Sequence, residues 1–379
     1  MFSVDEQSGL EGDYGMSTIG FIGLGLIGGS IAKGIRRAHP DWRIMAYDVA
    51  PVNLEAAQAD GTVNDVLTRL DDRLSACDFI FLCMPVNFMP DYLDVLTPFL
   101  GENCILTDVG STKTAIHQEI EARGLEHCFI GGHPMAGSEK SGYAAATDHL
   151  LENAYYVLTP TAQTTADQFL RLAQLVEDIG ALPLKMDCET HDYTVAGVSH
   201  LPHIIASALV NLVKHSDNDQ QYMKLVAAGG FKDITRIASS SPVMWEHICL
   251  ANQDNVAELL KDYIASLEHT LADIQNGDGQ AIHHLFAESG EYRNSISERG
   301  SGPLQKEYSL YCDIVDRAGA IATIATLLSI HQISIKNIGI IHNREYEEGV
   351  LKIEFYKEES CVTATEVLQT NHYTVYPRK

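Results

Sequence analysis

Residues 131–142 read Gly-Gly-His-Pro-Met-Ala-Gly-Ser-Glu-Lys-Ser-Gly and concentrate side chains that can do chemistry. His133 carries an imidazole, which exchanges a proton near neutral pH. Ser138 and Glu139 follow it among glycines, which permit tight turns and a close approach of the backbone to a ligand. This composition is typical of a binding-site loop and unsuited to a hydrophobic core. The alternative is a solvent-exposed loop that happens to contain a histidine, and the stretch alone does not decide between them.

A second motif lies near the N-terminus, where a short apolar strand at 18–22 runs into Gly23-Leu-Gly-Leu-Ile-Gly28 and then a helix. Another strand, at 43–47, ends at Asp48, about twenty residues beyond the last glycine, as in dinucleotide-binding βαβ units. The glycines permit the tight turn, the approach to a pyrophosphate and the packing of helix on strand. The Asp48 carboxylate would bind the ribose hydroxyls and repel a 2′-phosphate, which favours NAD over NADP. A tight turn without a ligand is the alternative. We expect cofactor contacts at Gly23, Gly25, Leu26, Ile27, Gly28, Asp48 and Pro85.

Alternating strands and helices continue to about residue 187, which predicts a Rossmann-type, doubly wound α/β domain over 17–187. In an open parallel sheet, ligands bind beyond the carboxyl ends of the strands. Ser111 follows a strand at 103–107, and His133 follows a strand at 128–130. Both residues should therefore lie on the cofactor's side of the sheet.

From 188 to 300 the pattern is helical throughout, which predicts an all-α domain. A long helix over 191–215 carries Ser199 and His203 on one face, because they are four residues apart. His200 could form a metal pair with His203, but no further ligand follows at helical spacing, so we expect no metal. Arg236 comes after a Gly-Gly turn, just inside a predicted new helix, where it is either a carboxylate clamp or a surface ion pair with Asp233.

Residues 301–306 contain Gly and Pro and are typical of a linker. The following residues, 307–379, show a βαββαβ order, which predicts a small independent α+β domain. At the other end, residues 1–16 have almost no apolar periodicity, and we expect a disordered leader.

Composition narrows the classes of partner. The net charge of −25 disfavours nucleic acid and anionic membrane surfaces. We find no uncharged apolar run of the roughly 18 residues that a membrane span requires. The eight cysteines have no C-x-x-C spacing, which is typical of a reducing compartment. We therefore expect a cytoplasmic protein with a small-molecule substrate.

Five motifs in this order resemble the prephenate dehydrogenase family of tyrosine biosynthesis: 23–28, 108–113, 133–142, 198–203 and 230–236. The tail is similar to an ACT domain, an amino-acid-sensing module, although Ala318 replaces a proline common in its first turn. The resemblance implies NAD-dependent oxidative decarboxylation of prephenate to 4-hydroxyphenylpyruvate, a homodimer, and feedback inhibition by L-tyrosine.

The resemblance also implies roles for individual residues. His133 would be the catalytic base, and Ser111 would orient the substrate hydroxyl. The substrate would be bound by Arg236, Ser199, His203, Ser138 and Glu139, with Glu139 in an ionic gate. Tyrosine would bind at Asp316, Gly319 and Asn337.

Three alternatives remain open from the residues. Arogenate dehydrogenation is the same chemistry on the amino analogue, and it would give tyrosine directly. A β-hydroxyacid dehydrogenase would need a catalytic lysine motif in the helical domain, which we do not find. A non-catalytic ACT-based amino-acid sensor would not need the glycine motif, His133 or Arg236.

Overall fold

The computed structural model of the chain describes residues 16–137, 140–296, 308–314, 319–341 and 349–376. The chain divides into two compact units, Met1–Gly302 and Pro303–Lys379. The expected leader, apart from Met16, and the expected linker at 301–306 lie outside the described residues.

An eight-stranded sheet forms the centre of the first unit, in the order β3-β2-β1-β4-β5-β6-β7-β8. Its strands are β1 (Thr18–Ile22), β2 (Arg43–Tyr47), β3 (Asp65–Val66), β4 (Phe79–Leu82), β5 (Ile105–Asp108), β6 (Phe129–Pro134), β7 (Tyr155–Pro160) and β8 (Leu182–Lys185). All neighbours are parallel except β6 and β7, which are antiparallel. The predicted Rossmann-type architecture is confirmed.

Helices cover both faces of this sheet, which explains why its strands are apolar at successive positions. They are α1 (Leu26–Ala38), α2 (Pro51–Ala59), α3 (Met89–Leu96), α4 (Thr114–Ala122) and α5 (Ala166–Asp178). Along β4, Phe79 and Phe81 enter one buried cluster, whereas Ile80 and Leu82 enter the cluster on the opposite face. The alternating side chains of each strand thus supply two cores, and the polar groups that follow the strands lie at the sheet edge.

The strand β6 is longer than expected and contains His133. The sequence predicted a strand that ends at 130, with His133 in the following loop, and that prediction is wrong. Antiparallel pairing with β7 extends the strand, so that His133 lies opposite Val157 and Pro134 lies opposite Tyr156. The backbone of His133 is therefore fixed by the sheet.

Residues 188–295 are helical apart from short connections. The helices are α6 (Cys188–Val195), α7 (Leu201–Ser216), α8 (Tyr222–Val226), α9 (Gly229–Thr235), α10 (Pro242–Ala251), α11 (Gln253–Asn276) and α12 (Gly279–Ser295). The predicted long helix starts earlier than expected, because α6 continues into α7 through a π-helical turn at Ala196–His200. Such turns hold one extra residue and are frequent at functional sites.

The expectation that no uncharged apolar run reaches the length of a membrane span is wrong. Residues 193–213 contain no Asp, Glu, Lys or Arg. Among the described helices, Cys188–Ser216 is long and apolar enough to cross a membrane by length and composition, and only 22% of its most apolar window is buried. The run nevertheless holds His200 and His203, whose rings contact Asn252 and Trp245 of the neighbouring helices.

The second unit has the predicted βαββαβ order. Its elements are β9 (Tyr308–Ile314), α13 (Ala320–Ile330), β10 (Ile335–Ile341), β11 (Gly349–Phe355), α14 (Glu358–Thr370) and β12 (Val375–Tyr376). The sheet is antiparallel in the order β10-β11-β9-β12, and both helices pack on a single buried core. The small, ACT-like α+β fold is confirmed.

Candidate active site

His133 is half-buried and forms the end of a row of three side chains. Its Nδ1 atom lies 2.8 Å from Nε2 of His191, and Nδ1 of His191 lies 2.8 Å from Oδ1 of Asp192. Asp192 also accepts the backbone N–H groups of Lys113 at 2.7 Å and Thr114 at 2.8 Å. The exposed fractions of His191 and Asp192 are 0% and 1%, so the row is closed to water behind His133.

A buried ion pair holds the backbone next to His133. The Asp108 carboxylate and the Lys113 ammonium are in contact and fully buried. Asp108 accepts the N–H of Gly132 at 3.0 Å, and Lys113 donates to the carbonyl oxygen of Gly132 at 2.6 Å. A Cβ atom at position 132 would lie 2.5 Å from the carbonyl oxygen of Asp108, which explains the glycine. Burial lowers the pKa of Lys113, although the charge of Asp108 opposes this.

In the sequence, Ser111 comes between Asp108 and Lys113, in the loop that follows β5. The parallel register pairs Thr107 of β5 with Ile130 of β6, so the loop starts beside the end of β6 that carries His133. Ser111 is half-buried. The structure thus places Ser111 and His133 at the carboxyl ends of neighbouring strands, where a parallel sheet binds its ligands.

The imidazole of His133 has a depressed pKa. Burial lowers this pKa well below its usual value, and the neighbouring His191, Lys113 and His200 lower it further. Asp192 partly opposes these effects. His133 is therefore neutral near pH 7 and is able to accept a proton.

Helical residues supply a second group of side chains. The ring of His203 stacks on Trp245 with 3.8 Å between ring centroids, and its Nδ1 atom lies 2.9 Å from the carbonyl oxygen of Ser199. Burial and the positive charge of Arg236 both lower the pKa of His203, whereas the contact with Ser199 raises it. Ser199, His203 and Arg236 thus share one region of the helical part.

Arg236 follows the last residue of α9 and is exposed. Arg236 begins a short 3₁₀ helix, Arg236–Ser239, in agreement with the predicted helix start. The turn predicted at the glycine pair is wrong, because α9 begins at that pair. No described carboxylate lies within ion-pair distance of Arg236, so the alternative pairing with Asp233 is not formed. The guanidinium keeps its fork of donors for a ligand.

Asn252 connects the helical group to the row at His133. Its side-chain amide donates to the backbone oxygen of Asp192 at 2.7 Å and lies 3.2 Å from Nδ1 of His200. Burial lowers the pKa of His200 to about 4. The helix that carries Asp192 is therefore fixed against α10 and α11.

Asp48 lines a cleft of about 470 Å³ together with residues of α2 and of the loop after β3. Asp48 accepts the N–H of Leu24 at 2.5 Å and that of Ala50 at 2.7 Å, which joins the glycine loop to the end of β2. A Cβ atom at Gly25 would meet nothing within 4 Å, whereas one at Gly28 would lie 2.6 Å from the carbonyl oxygen of Gly23. The loop thus has open space at Gly25 for a phosphate and close helix packing at Gly28, and the arrangement fits a dinucleotide.

For the remaining predicted cofactor and tyrosine contacts, the structure gives only their positions in the secondary structure. Leu26 and Ile27 begin α1, and Pro85 follows β4. Gly319 precedes α13 with φ +89°, and Asn337 lies in β10 at the edge of its sheet. Ser138, Glu139 and Asp316 lie outside the described residues.

Sequence reasoning gave no role to His191, Asp192, Lys113 or Asn252. The adjacent His and Asp at 191–192 are the one local signal, because a carboxylate beside an imidazole often orients it. Their partner His133 is 58 residues away in the chain, so the sequence alone does not connect them.

Comparison with known proteins identifies two family regions. The family described as "Prephenate dehydrogenase, nucleotide-binding domain" matches residues 31–184. The family described as "Prephenate dehydrogenase, dimerization domain" matches residues 187–288. The curated prephenate dehydrogenase of Bacillus subtilis (strain 168) is 36% identical to this chain, over 93% of this chain and 97% of its own length.

Two solved structures match about three quarters of this chain. Prephenate dehydrogenase from Aquifex aeolicus in complex with hydroxyphenyl propionate and NAD⁺ matches with a TM-score of 0.71 and 33% identity, over 75% of this chain and 100% of that chain. Synechocystis arogenate dehydrogenase matches with a TM-score of 0.66 and 32% identity, over 74% of this chain and 99% of that chain. With both family regions and a relative of 36% identity over nearly its whole length, the chain belongs to the prephenate dehydrogenase family.

Proposed function

We propose that the protein catalyses the oxidative decarboxylation of prephenate to 4-hydroxyphenylpyruvate, with NAD as the cofactor. The observation that carries this proposal is the neutral, half-buried imidazole of His133, which lies at the cofactor side of the sheet and is braced from behind by His191. Such a group is suited to remove a proton from a substrate hydroxyl.

The cofactor is NAD, in agreement with the glycine motif, Asp48 and the NAD⁺ complex of the Aquifex relative. When bound, NAD⁺ supplies the hydride acceptor of the reaction. Gly25 would allow the pyrophosphate to approach the start of α1, where backbone N–H groups favour negative charge. Asp48 would accept hydrogen bonds from the ribose hydroxyls and disfavour a 2′-phosphate.

The protein side chains divide the remaining work. His133 removes the proton of the ring 4-hydroxyl as the C4 hydrogen departs, and Ser111 orients that hydroxyl. Arg236, which forms no ion pair with the residues that the structure describes, binds a substrate carboxylate through its fork of donors. Ser199 and His203 line the pocket near the substrate's side chain. Ser138 and Glu139, which follow β6 in the sequence, are further proposed substrate contacts. Aromatisation of the ring with loss of CO₂ makes the overall step favourable, so placement and proton removal are the main tasks of the protein.

Arogenate is the second candidate substrate, because the solved Synechocystis relative is named as an arogenate dehydrogenase. The decisive experiment measures kcat/KM for prephenate and for arogenate, each with NAD⁺ and with NADP⁺. We expect the highest value for prephenate with NAD⁺. A higher value for arogenate would reassign the substrate, and no turnover of either would favour a non-catalytic amino-acid sensor.

The C-terminal unit is proposed to bind L-tyrosine and inhibit the enzyme. Support comes from its ACT-like fold and its separate buried core. The ligand would lie near Gly319 and Asn337, with Asp316 as a further contact. A chain that ends at Gly302 should keep its turnover and lose most inhibition by tyrosine. Full inhibition of the shortened chain would indicate competition at the active site instead.

Pairing of the helical parts would form a cytoplasmic homodimer. The matching family region carries the description "dimerization domain", and α11 exposes Leu267, Leu271 and Ile274 along one side. These exposed apolar side chains are typical of a surface that a second copy covers. Light scattering after size-exclusion chromatography should give twice the mass of the chain, and the mass of one chain would contradict the proposal.

A further inference from the structure

The row His133–His191–Asp192 bears on a requirement that a histidine base must meet. A neutral imidazole carries its single proton on one of two nitrogens, and only the unprotonated nitrogen accepts another proton. Nδ1 of His133 faces His191 at 2.8 Å, so Nε2 is the nitrogen that is left to act on a substrate. A base at His133 therefore needs its own proton on Nδ1.

Asp192 is held as a carboxylate, that is, as an acceptor at both oxygens. Oδ1 accepts the backbone N–H of Lys113, and Oδ2 accepts that of Thr114. Burial alone would raise the pKa of Asp192, but its hydrogen bonds with His191, Thr114 and Lys113 bring the pKa below the usual value. Because backbone N–H groups only donate, these bonds fix the orientation of the carboxylate.

The direction of the next two hydrogen bonds follows from this fixed acceptor. Nδ1 of His191 faces Oδ1 of Asp192 at 2.8 Å and must donate to it. A neutral His191 then has a lone pair on Nε2, which can only accept. The hydrogen bond between the two rings therefore runs from Nδ1–H of His133 to Nε2 of His191, and Nε2 of His133 keeps its lone pair.

A single proton on His191 leaves the interior around the row without an added charge. The ring is fully buried, and burying a further charge is costly. The Lys113 ammonium nearby is matched by Asp108, and it already lowers the pKa of His133. His200 lies on the other side, next to Asn252, and burial keeps it neutral near pH 7.

We infer that His191 and Asp192 are positioning residues that set the tautomer of His133, so that Nε2 faces the substrate unprotonated. This inference rests on the proposed role of His133 as base. When His133 accepts the hydroxyl proton at Nε2, its Nδ1–H remains bonded to His191. The carboxylate of Asp192 stabilises the resulting imidazolium through the row.

Substitution of Asp192 by Asn tests the inference in the full chain. The amide has the shape of the carboxylate but only one acceptor oxygen for three donors. Lys113 and Thr114 donate to different oxygens, so the amide can accept from only one of them. With the NH₂ group at the Oδ1 position, it faces Nδ1 of His191 and reverses the hydrogen bonds of the row. With the amide oxygen at that position, the row loses the negative charge that stabilises the imidazolium. We expect kcat to fall about 10²- to 10⁴-fold, which is the usual contribution of a general base, with KM for prephenate within a few-fold.

The matched control is Asp187→Asn on the same helix. Asp187 caps α6 and accepts the N–H of Thr190 at 2.8 Å, and Asn caps a helix as well as Asp does. This control should keep wild-type kcat and pH profile. In Asp192→Asn, the acid limb of kcat/KM should also move to lower pH, because the imidazolium loses its carboxylate. Unchanged turnover and an unchanged pH profile in Asp192→Asn would overturn the inference.

The nitrogen chemical shifts of the wild-type histidines give a readout without turnover. In ¹⁵N-labelled protein near pH 7, His133 should show a protonated Nδ1 and an unprotonated Nε2, with His133→Asn used to assign the signals. The opposite tautomer would overturn the inference even if Asp192→Asn failed to fold. If His133→Asn kept normal turnover while the tautomer was as expected, the proposed base would be wrong and the tautomer assignment would stand.

Discussion

The glycine motif has two requirements, open space for the cofactor at Gly25 and close helix packing at Gly28. Substituting each of these glycines with alanine separates the two. At Gly28 the new Cβ would lie 2.6 Å from the carbonyl oxygen of Gly23 and 2.9 Å from Cβ of Cys83. Neither atom is the flexible end of a side chain, so α1 must shift away from β1 and β4. At Gly25 the new Cβ would meet nothing within 4 Å. The first change should therefore affect the fold, and the second should affect only the bound cofactor.

The magnitudes follow from these contacts. Overpacking costs about 1–3 kcal/mol of the free energy of unfolding, so Gly28→Ala should be destabilised by that amount. Since 1 kcal/mol lowers Tm by about 2–4 °C in domains of this size class, Tm should fall by roughly 2–12 °C. Gly25→Ala should lower Tm by about 4 °C at most, because replacing Gly at a helix N-cap by Ala changes stability by a few tenths to about 1 kcal/mol, and 1 kcal/mol corresponds to about 2–4 °C. Its KM for NAD⁺ should rise about tenfold or more, since the methyl group occupies the approach of the pyrophosphate.

Thermal unfolding followed by circular dichroism without cofactor, together with KM for NAD⁺, measures both effects. Gly290→Ala is the matched control, because Gly290 lies inside α12 and its Cβ would also meet nothing within 4 Å. The control should leave KM unchanged and should not lower Tm, since Ala favours a helix interior. Equal losses of Tm at Gly25 and Gly28 would refute the separation. A normal KM for NAD⁺ in Gly25→Ala would show that the loop does not bind the pyrophosphate.

Three further predictions concern the reaction itself. His133→Asn should lower kcat about 10²- to 10⁴-fold with little change in KM. In the wild type, the acid limb of the kcat/KM profile should lie below pH 6.5, because the lowered pKa keeps His133 neutral to lower pH. An acid limb above pH 6.5 would contradict this assignment. Arg236→Gln should chiefly raise KM for prephenate in steady-state assays, and a change in kcat alone would show that Arg236 is no carboxylate clamp. Asp48→Asn should reduce the preference for NAD⁺ over NADP⁺ in kcat/KM by about tenfold, since each 1.4 kcal/mol of lost discrimination is tenfold, and an unchanged ratio would exclude the carboxylate as the selector.

Local patterns were enough to predict most elements of the fold. The strand, glycine loop and helix at 18–38 follow from adjacent residues, and so does the acid at Asp48. The βαββαβ order of the second unit was also correct, and α13 has the predicted bounds. These features depend on turns and periodicity within a short stretch, which the sequence records directly.

The errors involve contacts between distant parts of the chain. His133 was assigned to a loop because glycines and a proline surround it, but pairing with β7 continues the strand through that stretch. The Gly-Gly pair at 229–230 was predicted as a turn, whereas α9 begins at that pair and Arg236 starts the 3₁₀ helix that follows it. The row from His133 to Asp192 depends on packing between the sheet and α6, and no local pattern encodes it.

The π-helical turn at Ala196–His200 gives the continuous helix 188–216 a particular mechanical role. His191 and Asp192 precede the turn and brace the base, whereas His203 follows it and faces Trp245. One continuous helix therefore carries the two residues behind the proposed base and the ring that is proposed to contact the substrate. The extra residue in the turn sets the angular offset between these two ends, since each residue of an α-helix rotates the chain by about 100°. The proposed alignment of base and substrate would thus depend on the winding of a single helix, and a deletion in the turn would misalign the two ends while leaving each of them locally intact.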